Sequence, residues 1–315
     1  MDIKRTVLWV IFSLSLLFLW DNWQRSNGHP SMFFPGETSA PASTSAANAT
    51  PATSTPAAIG AASSSDVPQT ANTAAAPASA VPDSAPVAKG EIITITTDVV
   101  KADINTVGGE LQRLELLHHK DTVDPTKNLV LFDSSASRVY LAETGLIGGP
   151  FPNHKSPFVA LPGARALDGG NQVQLVLEST EGGVKLVKTF TFKRGDYAID
   201  VKHTVTNDNS TPVSPSLYLQ LVRDGNAPEI KQGFASNFVH TFTGAAVYTD
   251  AKKFEKFDFS KIESNKAEHA TTANDGWFAI IQHYFASAFI PQANAQREIF
   301  SKKVGANLYA VGNIL

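Results

Sequence analysis

Eight histidines, 29 acidic and 26 basic side chains supply the polar chemistry of this 315-residue chain, and there is no cysteine. His118-His119 is the pair that first invites a metal, but adjacent side chains on a strand point to opposite faces, and no spaced His or carboxylate set accompanies them. They read as a solvated strand end. His203 lies in phase with Tyr197, Ile199, Val201 and Val205, so it is a core histidine by pattern and a base only if a partner meets it. Glu110, Glu115, Asp196 and Asp200 would make an acid/base pair only where the fold brings two of them together. Arg194-Gly195-Asp196 has the form of an adhesion tripeptide and equally of a hairpin turn; Gly and Asp in these places favour the turn.

One cluster suits recognition. Phe254, Phe257 and Phe259 interleave with Lys252, Lys253, Lys256 and Lys261. Exposed aromatics are enriched at interfaces, so Lys253, Phe254, Lys256 and Phe257 are the candidate partner-binding loop, with an amphipathic connection over a sheet edge as the alternative. The missing cysteines exclude disulfides, thiolate metal sites and thiol nucleophiles, and no cofactor motif is present. A net charge of -3 and a pI near 6.2, without a basic stripe, exclude a nucleic-acid partner.

The elements that must position these groups read mostly as strands. Residues 92–97, 99–106 and 111–117 are rich in β-branched and apolar side chains around a Gly108-Gly109 turn. A meander follows: Val173, Leu175 and Leu177 alternate up to Glu181-Gly182-Gly183, then Val184, Leu186, Phe190 and Phe192 share one face. The return strand begins after Gly195. Further strands are expected at 217–222, 239–242, 285–290, 296–301 and 308–315, with 276–283 open to either a short helix or a strand. Period two with Gly-rich turns predicts a mainly β fold, a large antiparallel sandwich over residues 91–315.

Two segments precede that domain. Residues 1–5 carry Lys4 and Arg5, and residues 6–23 have no charge until Asp21. As a helix this segment is about 27 Å long, near the thickness of a hydrocarbon core. Bulky residues where a signal-peptide cleavage site needs small ones favour an uncleaved transmembrane anchor, with Trp9, Leu16 and Leu17 in the lipid and Trp20 and Trp23 at the interface. The basic start puts the N-terminus in the cytoplasm and the rest across the bilayer. Residues 24–90 form a linker whose stretch from 36 to 89 is Ala, Ser, Thr and Pro with no aromatic residue, a composition that predicts a flexible spacer.

Ordered matches along the chain add a family. Met1-Asp2-Ile3-Lys4-Arg5, Trp20-Asp21-Asn22-Trp23 and Asn27-Gly28-His29-Pro30-Ser31-Met32-Phe33-Phe34-Pro35 resemble the N-terminus of YidC-type membrane protein insertases of Gram-negative bacteria. Asp103-Ile104-Asn105-Thr106, Lys193-Arg194-Gly195-Asp196-Tyr197, Ser236-Asn237-Phe238, Gly276-Trp277 and Tyr284-Phe285-Ala286 resemble its periplasmic domain in the same order. The resemblance implies a β-supersandwich like that of galactose mutarotase, tethered to the inner membrane, without enzymatic activity. It also implies the Sec translocon with its accessory subunits, membrane-protein clients and the lipid bilayer as partners. A tethered sugar-binding or mutarotase-like protein is the alternative. No second apolar run of 18 residues follows Trp23, so the chain reads as an N-terminal fragment without the membrane module of the family, and residues 308–315 read as a final strand left without a partner.

Overall fold

The computed structural model describes Trp9 and residues 12–20, 67–68, 90–227 and 241–315. Seventeen strands run in the order β1 Ile92–Thr96, β2 Val100–Asn105, β3 Glu110–Lys120, β4 Asn128–Ser134, β5 Val139–Ile147, β6 Val159–Ala160, β7 Gln172–Glu181, β8 Val184–Lys193, β9 Ile199–Asn207 and β10 Ser216–Asp224. The rest are β11 Thr243–Thr249, β12 Lys253–Phe257, β13 Thr272–Ala273, β14 Trp277–Gln282, β15 Phe285–Phe289, β16 Arg297–Gly305 and β17 Leu308–Ile314. One helical turn, Phe259–Glu263, is capped by the Asp258 carboxylate, which accepts from the Lys261 amide at 2.9 Å.

The strands form a nine-stranded antiparallel sheet, β1-β2-β3-β4-β5-β10-β17-β16-β13, and two four-stranded antiparallel sheets, β6-β7-β8-β9 and β12-β11-β14-β15. Alternation decides the layers. On β7 and β8, Val173, Leu175, Leu177, Val184, Leu186, Phe190 and Phe192 are buried in the main apolar cluster. The same cluster takes Leu219 and Leu221 of β10, Val311 of β17, and Val247, Phe278 and Ile280 of the third sheet. One core is therefore shared by three sheets, the mainly β, antiparallel architecture that the period-two pattern implies.

Several expectations change at this level. The final strand is interior, not unpartnered: β17 pairs with β10 on one side and β16 on the other, and Leu315 exchanges backbone hydrogen bonds of 2.8 and 3.1 Å with Leu217. The β16–β17 hairpin inserts its second arm into the middle of the sheet, an arrangement that sequence order does not reveal. Residues 276–283 resolve to a strand, β14. Of the strand expected at 239–242, residues 239 and 240 lie outside the described residues, 241 and 242 are irregular, and β11 starts at Thr243. The hairpin β4–β5 went unread because Asn128–Ser134 and Val139–Ile147 mix polar and apolar residues without clean alternation.

Residues 12–20 are helical, with Leu16, Leu17, Trp20 and the preceding Trp9 exposed. Among the described residues no helix is long and apolar enough to cross a membrane; Trp23 and the remainder of the expected 6–23 span lie outside them.

Leu175 is fully buried, whereas Ile92 on the edge strand β1 is 48% exposed. Leu175→Ala should cost about 2–5 kcal/mol in urea unfolding, and Ile92→Ala within about 0.5 kcal/mol. Equal effects would contradict this placement of the core.

Candidate functional site

The densest polar chemistry lies inside the fold, where β8 faces β5 and the turn between β2 and β3. Lys188 follows Val184 and Leu186 and precedes Phe190 on the buried face of β8, so its side chain enters the core with them. It is fully buried. Its ammonium donates to the Gly108 carbonyl at 2.6 Å and the Thr144 carbonyl at 2.7 Å, and lies 4.7 Å from the centroid of the Phe158 ring. Gly108 can offer that carbonyl because it sits at φ 78°, and a Cβ there would come within 2.2 Å of the His154 carbonyl oxygen. The Thr144 carbonyl belongs to a stretch of β5 beyond Ala142, the one residue that β3 pairs with on that strand.

Two carboxylates act on this cation. Glu110 on β3 accepts from Gln112 at 2.6 Å, and Glu143 on β5 accepts from the buried Gln220 of β10, also at 2.6 Å. Burial first, then the neighbouring Glu143 charge, raises Glu110 to about 7, while burial lowers Lys188 to about 7 against the opposing pull of Glu110 and Glu143. His203 of β9 meets the Thr144 hydroxyl at 2.8 Å, and burial followed by the Lys188 charge pushes it down to about 3, so it is neutral at physiological pH. Beside them the Tyr218 hydroxyl is held by the ring and amide of His154.

This set has the perturbed titrations that active sites also show. Two concave surfaces among the described residues, of about 230 and 270 Å³, are lined by other residues: Thr249, Lys252, Thr271 and Asp275 in one, Pro157, Val159, Glu178 and Glu181 in the other. The interior set can hold a proton and join layers. Arg223 does the same for the third sheet. In phase with Leu219 and Leu221 on β10, it is fully buried and donates to Gln282 of β14 at 3.2 Å and to the Asp224 carbonyl at 2.7 Å. Its guanidinium lies over the rings of Tyr140 and Phe259 at 6.0 and 5.6 Å.

The residues read as a partner-binding loop form the edge strand β12. Lys253 and Lys256 are exposed and Phe254 is 50% exposed, but Phe257 is buried and stacks on His269 at 5.0 Å. Phe254 pairs in register with Tyr248, which pairs with Trp277, giving an aromatic row across three strands with centroid spacings of 6.0 and 5.8 Å from Trp277. Lys256 lies over the Phe242 ring at 5.0 Å. His118 and His119 are exposed at the end of β3, and among the described residues no group of three or more metal-ligating side chains is placed to hold an ion. In the Arg194-Gly195-Asp196 turn the Gly195 amide donates to Asp98, and the remaining carboxylates stay apart: Glu115 meets Arg113 and Asp200 meets Lys193.

Sequence reading passed over Lys188, Arg223 and Glu143. The signal for the cations was present: each is the polar residue in an otherwise apolar alternation, Val184-Leu186-Lys188-Phe190 and Leu217-Leu219-Leu221-Arg223.

Because the folded Lys188 value is depressed, its contribution to stability is lost as pH falls through about 7 and is fully present only above its ordinary value of 10.5. The melting temperature of the chain should therefore rise relative to that of Lys188→Met between pH 7 and 10. Parallel pH profiles would contradict the buried cation.

The model of the YidC periplasmic domain matches residues 92–315. The membrane protein insertase YidC of Janthinobacterium sp. (strain Marseille) is 56% identical over 315 residues, 100% of this chain and 54% of that protein. Those of Herminiimonas arsenicoxydans and Cupriavidus taiwanensis are 55% and 50% identical, over 100% and 99% of this chain and 54% of each protein. A crystal structure of a galactose mutarotase-like protein from Lactobacillus casei ATCC 334 is more distant, with a TM-score of 0.45 and 13% identity over 71% of this chain and 87% of that one. The chain spans about half the length of the curated relatives it matches. It belongs to the YidC family and contains that family's periplasmic domain.

Proposed function

We propose that this chain serves membrane-protein insertion as the periplasmic part of a YidC-type insertase at the bacterial inner membrane. In this reading residues 6–23 anchor it, and residues 91–315 stand in the periplasm as a non-enzymatic module beside the Sec translocon and its accessory subunits. Membrane-protein clients are then handled by the assembly, not by chemistry within this domain. The observation that carries the reading is the 56% identity to a YidC insertase over the full chain, expected anchor and linker included.

Within that role the contact surface is the edge strand β12 with the row behind it: Lys253, Phe254 and Lys256, backed by Tyr248 and Trp277. Exposed aromatic side chains are enriched at interfaces, and an open sheet edge offers backbone groups for a partner to pair with. A sugar-binding or mutarotase-like role is less well supported. It needs Glu and His converging on an open wall, and here His203 and Lys188 are taken up by the Thr144 hydroxyl and carbonyl and Glu143 by Gln220.

A chimaera tests the role: residues 1–315 replace the matching part of the Janthinobacterium insertase in cells depleted of their own. Growth and client insertion are expected to return. Failure of a chimaera that accumulates in the membrane would defeat the proposal. For the surface, Phe254→Glu combined with Lys256→Glu should lower affinity for the translocon, read by co-purification, by about thirtyfold, a loss on the scale of one interface hot spot. The melting temperature should be unmoved, and undiminished capture would remove β12 from the interface.

A further inference from the structure

Outside the main core lies a second apolar cluster, built on the opposite face of the large sheet. Its buried members are Ile147 of β5, Tyr218 of β10 and Ile314 of β17, with Phe300 of β16 packed against them. Tyr218 and Ile314 are directly paired, and Ile147 pairs with Ser216 two residues earlier on β10. Strand alternation explains the separation: Leu219 and Leu221 point to the three-sheet core, so Tyr218 must point away from it. An apolar face in the middle of a sheet needs a cover.

Part of that cover comes from the linker. Val67 packs on this cluster and Pro68 is buried, although both belong to the Ala-, Ser-, Thr- and Pro-rich stretch between 36 and 89. The residue types fit the task. Proline brings no backbone N–H into an apolar contact, and valine and proline lose little side-chain entropy on burial. In that stretch Val67 is one of the few aliphatic side chains larger than alanine, with Ile59, Val81 and Val87. The receiving side is held in place: the Tyr218 hydroxyl is bonded by His154, and the three strands beneath are hydrogen-bonded in series.

We propose that Val67-Pro68 is a strap by which the linker docks on its own domain, at the site formed by Ile147, Tyr218 and Ile314. The tether then leaves the domain from the middle of the large sheet and not from the start of β1. For a stretch of this composition, docking at residue 67 shortens the expected root-mean-square reach from about 45 Å over 24–89 to about 36 Å over 24–66. The strap also shields the Tyr218–Ile314 pair from water. Releasing it would lengthen the leash and expose this face together.

The cysteine-free chain makes the test direct. Val67→Cys, in the full chain, should react with a water-soluble maleimide about threefold or more slower in the folded protein than in urea, since residue 67 is partly buried on the cluster while the strap is docked. In a second full-length variant, Val67→Asp, hydrogen exchange should quicken at the amides around Tyr218 and Ile314 and stay unchanged along β7 and β8. Labelling of the folded protein at the urea rate, or exchange around Tyr218 unaffected by Val67→Asp, would overturn the strap. Neither readout depends on insertion activity.

Discussion

A charge without water is the constraint around which this domain is assembled. An ammonium taken into a protein interior forfeits several kcal/mol of hydration, and it stays only where fixed dipoles replace the lost water. Lys188 meets that demand with two carbonyls from different parts of the chain, one in the β2–β3 turn and one on β5, and with the face of Phe158. Those three groups have to be in place together, so the lysine registers the sheet β6-β7-β8-β9 against the large sheet. Gly108 must be glycine for the turn to reach it. Glu110 and Glu143 balance the charge through space, and each needs its own amide donor, Gln112 and Gln220. Arg223 repeats the solution for the third sheet, bridging β10 to Gln282 on β14. The apolar core is shared by all three layers, but apolar packing is tolerant of sliding, and two buried cations with directional donors are not.

This division of labour fits a domain that presents surfaces. The perturbed groups are used up inside the packing, while the outside carries the aromatic row on β12, β11 and β14 and the apolar patch that Val67-Pro68 covers. A binding module needs rigid sheets beneath such patches, because a contact surface that deforms gives up part of its binding energy in ordering.

Much of the fold was legible from alternation alone. Strands such as β7 and β8 keep a strict period of two between glycine turns, and there the reading and the structure coincide. Legibility failed where pairing is non-local. The partners of β17 are set by its insertion between β10 and β16, and β10 lies more than eighty residues earlier in the chain, so a terminal apolar run reads as an open edge. Phe257 and Phe254 look alike in sequence, but Phe257 is buried and Phe254 half-exposed, and only the register separates them. Lys188 was the deepest miss: a lysine on a strand is ordinarily solvated, and only its phase with Leu186 and Phe190 marks it as buried. The Val67-Pro68 contact was unreadable, since nothing in a low-complexity stretch announces that two of its residues have a seat on a sheet.

Direct observation of the Lys188 side chain decides whether the buried cation organises the domain. Heteronuclear NMR of the lysine side chains in the intact protein, assigned by comparison with Lys188→Met, would follow its ammonium through a pH titration. A midpoint near 7 is the result this account predicts, more than two units below the ordinary lysine value of 10.5. A Lys188 that titrates near 10.5 and exchanges its ammonium protons as fast as the exposed lysines would contradict it, because the ammonium would then be in water and the sheets would be joined by apolar packing alone.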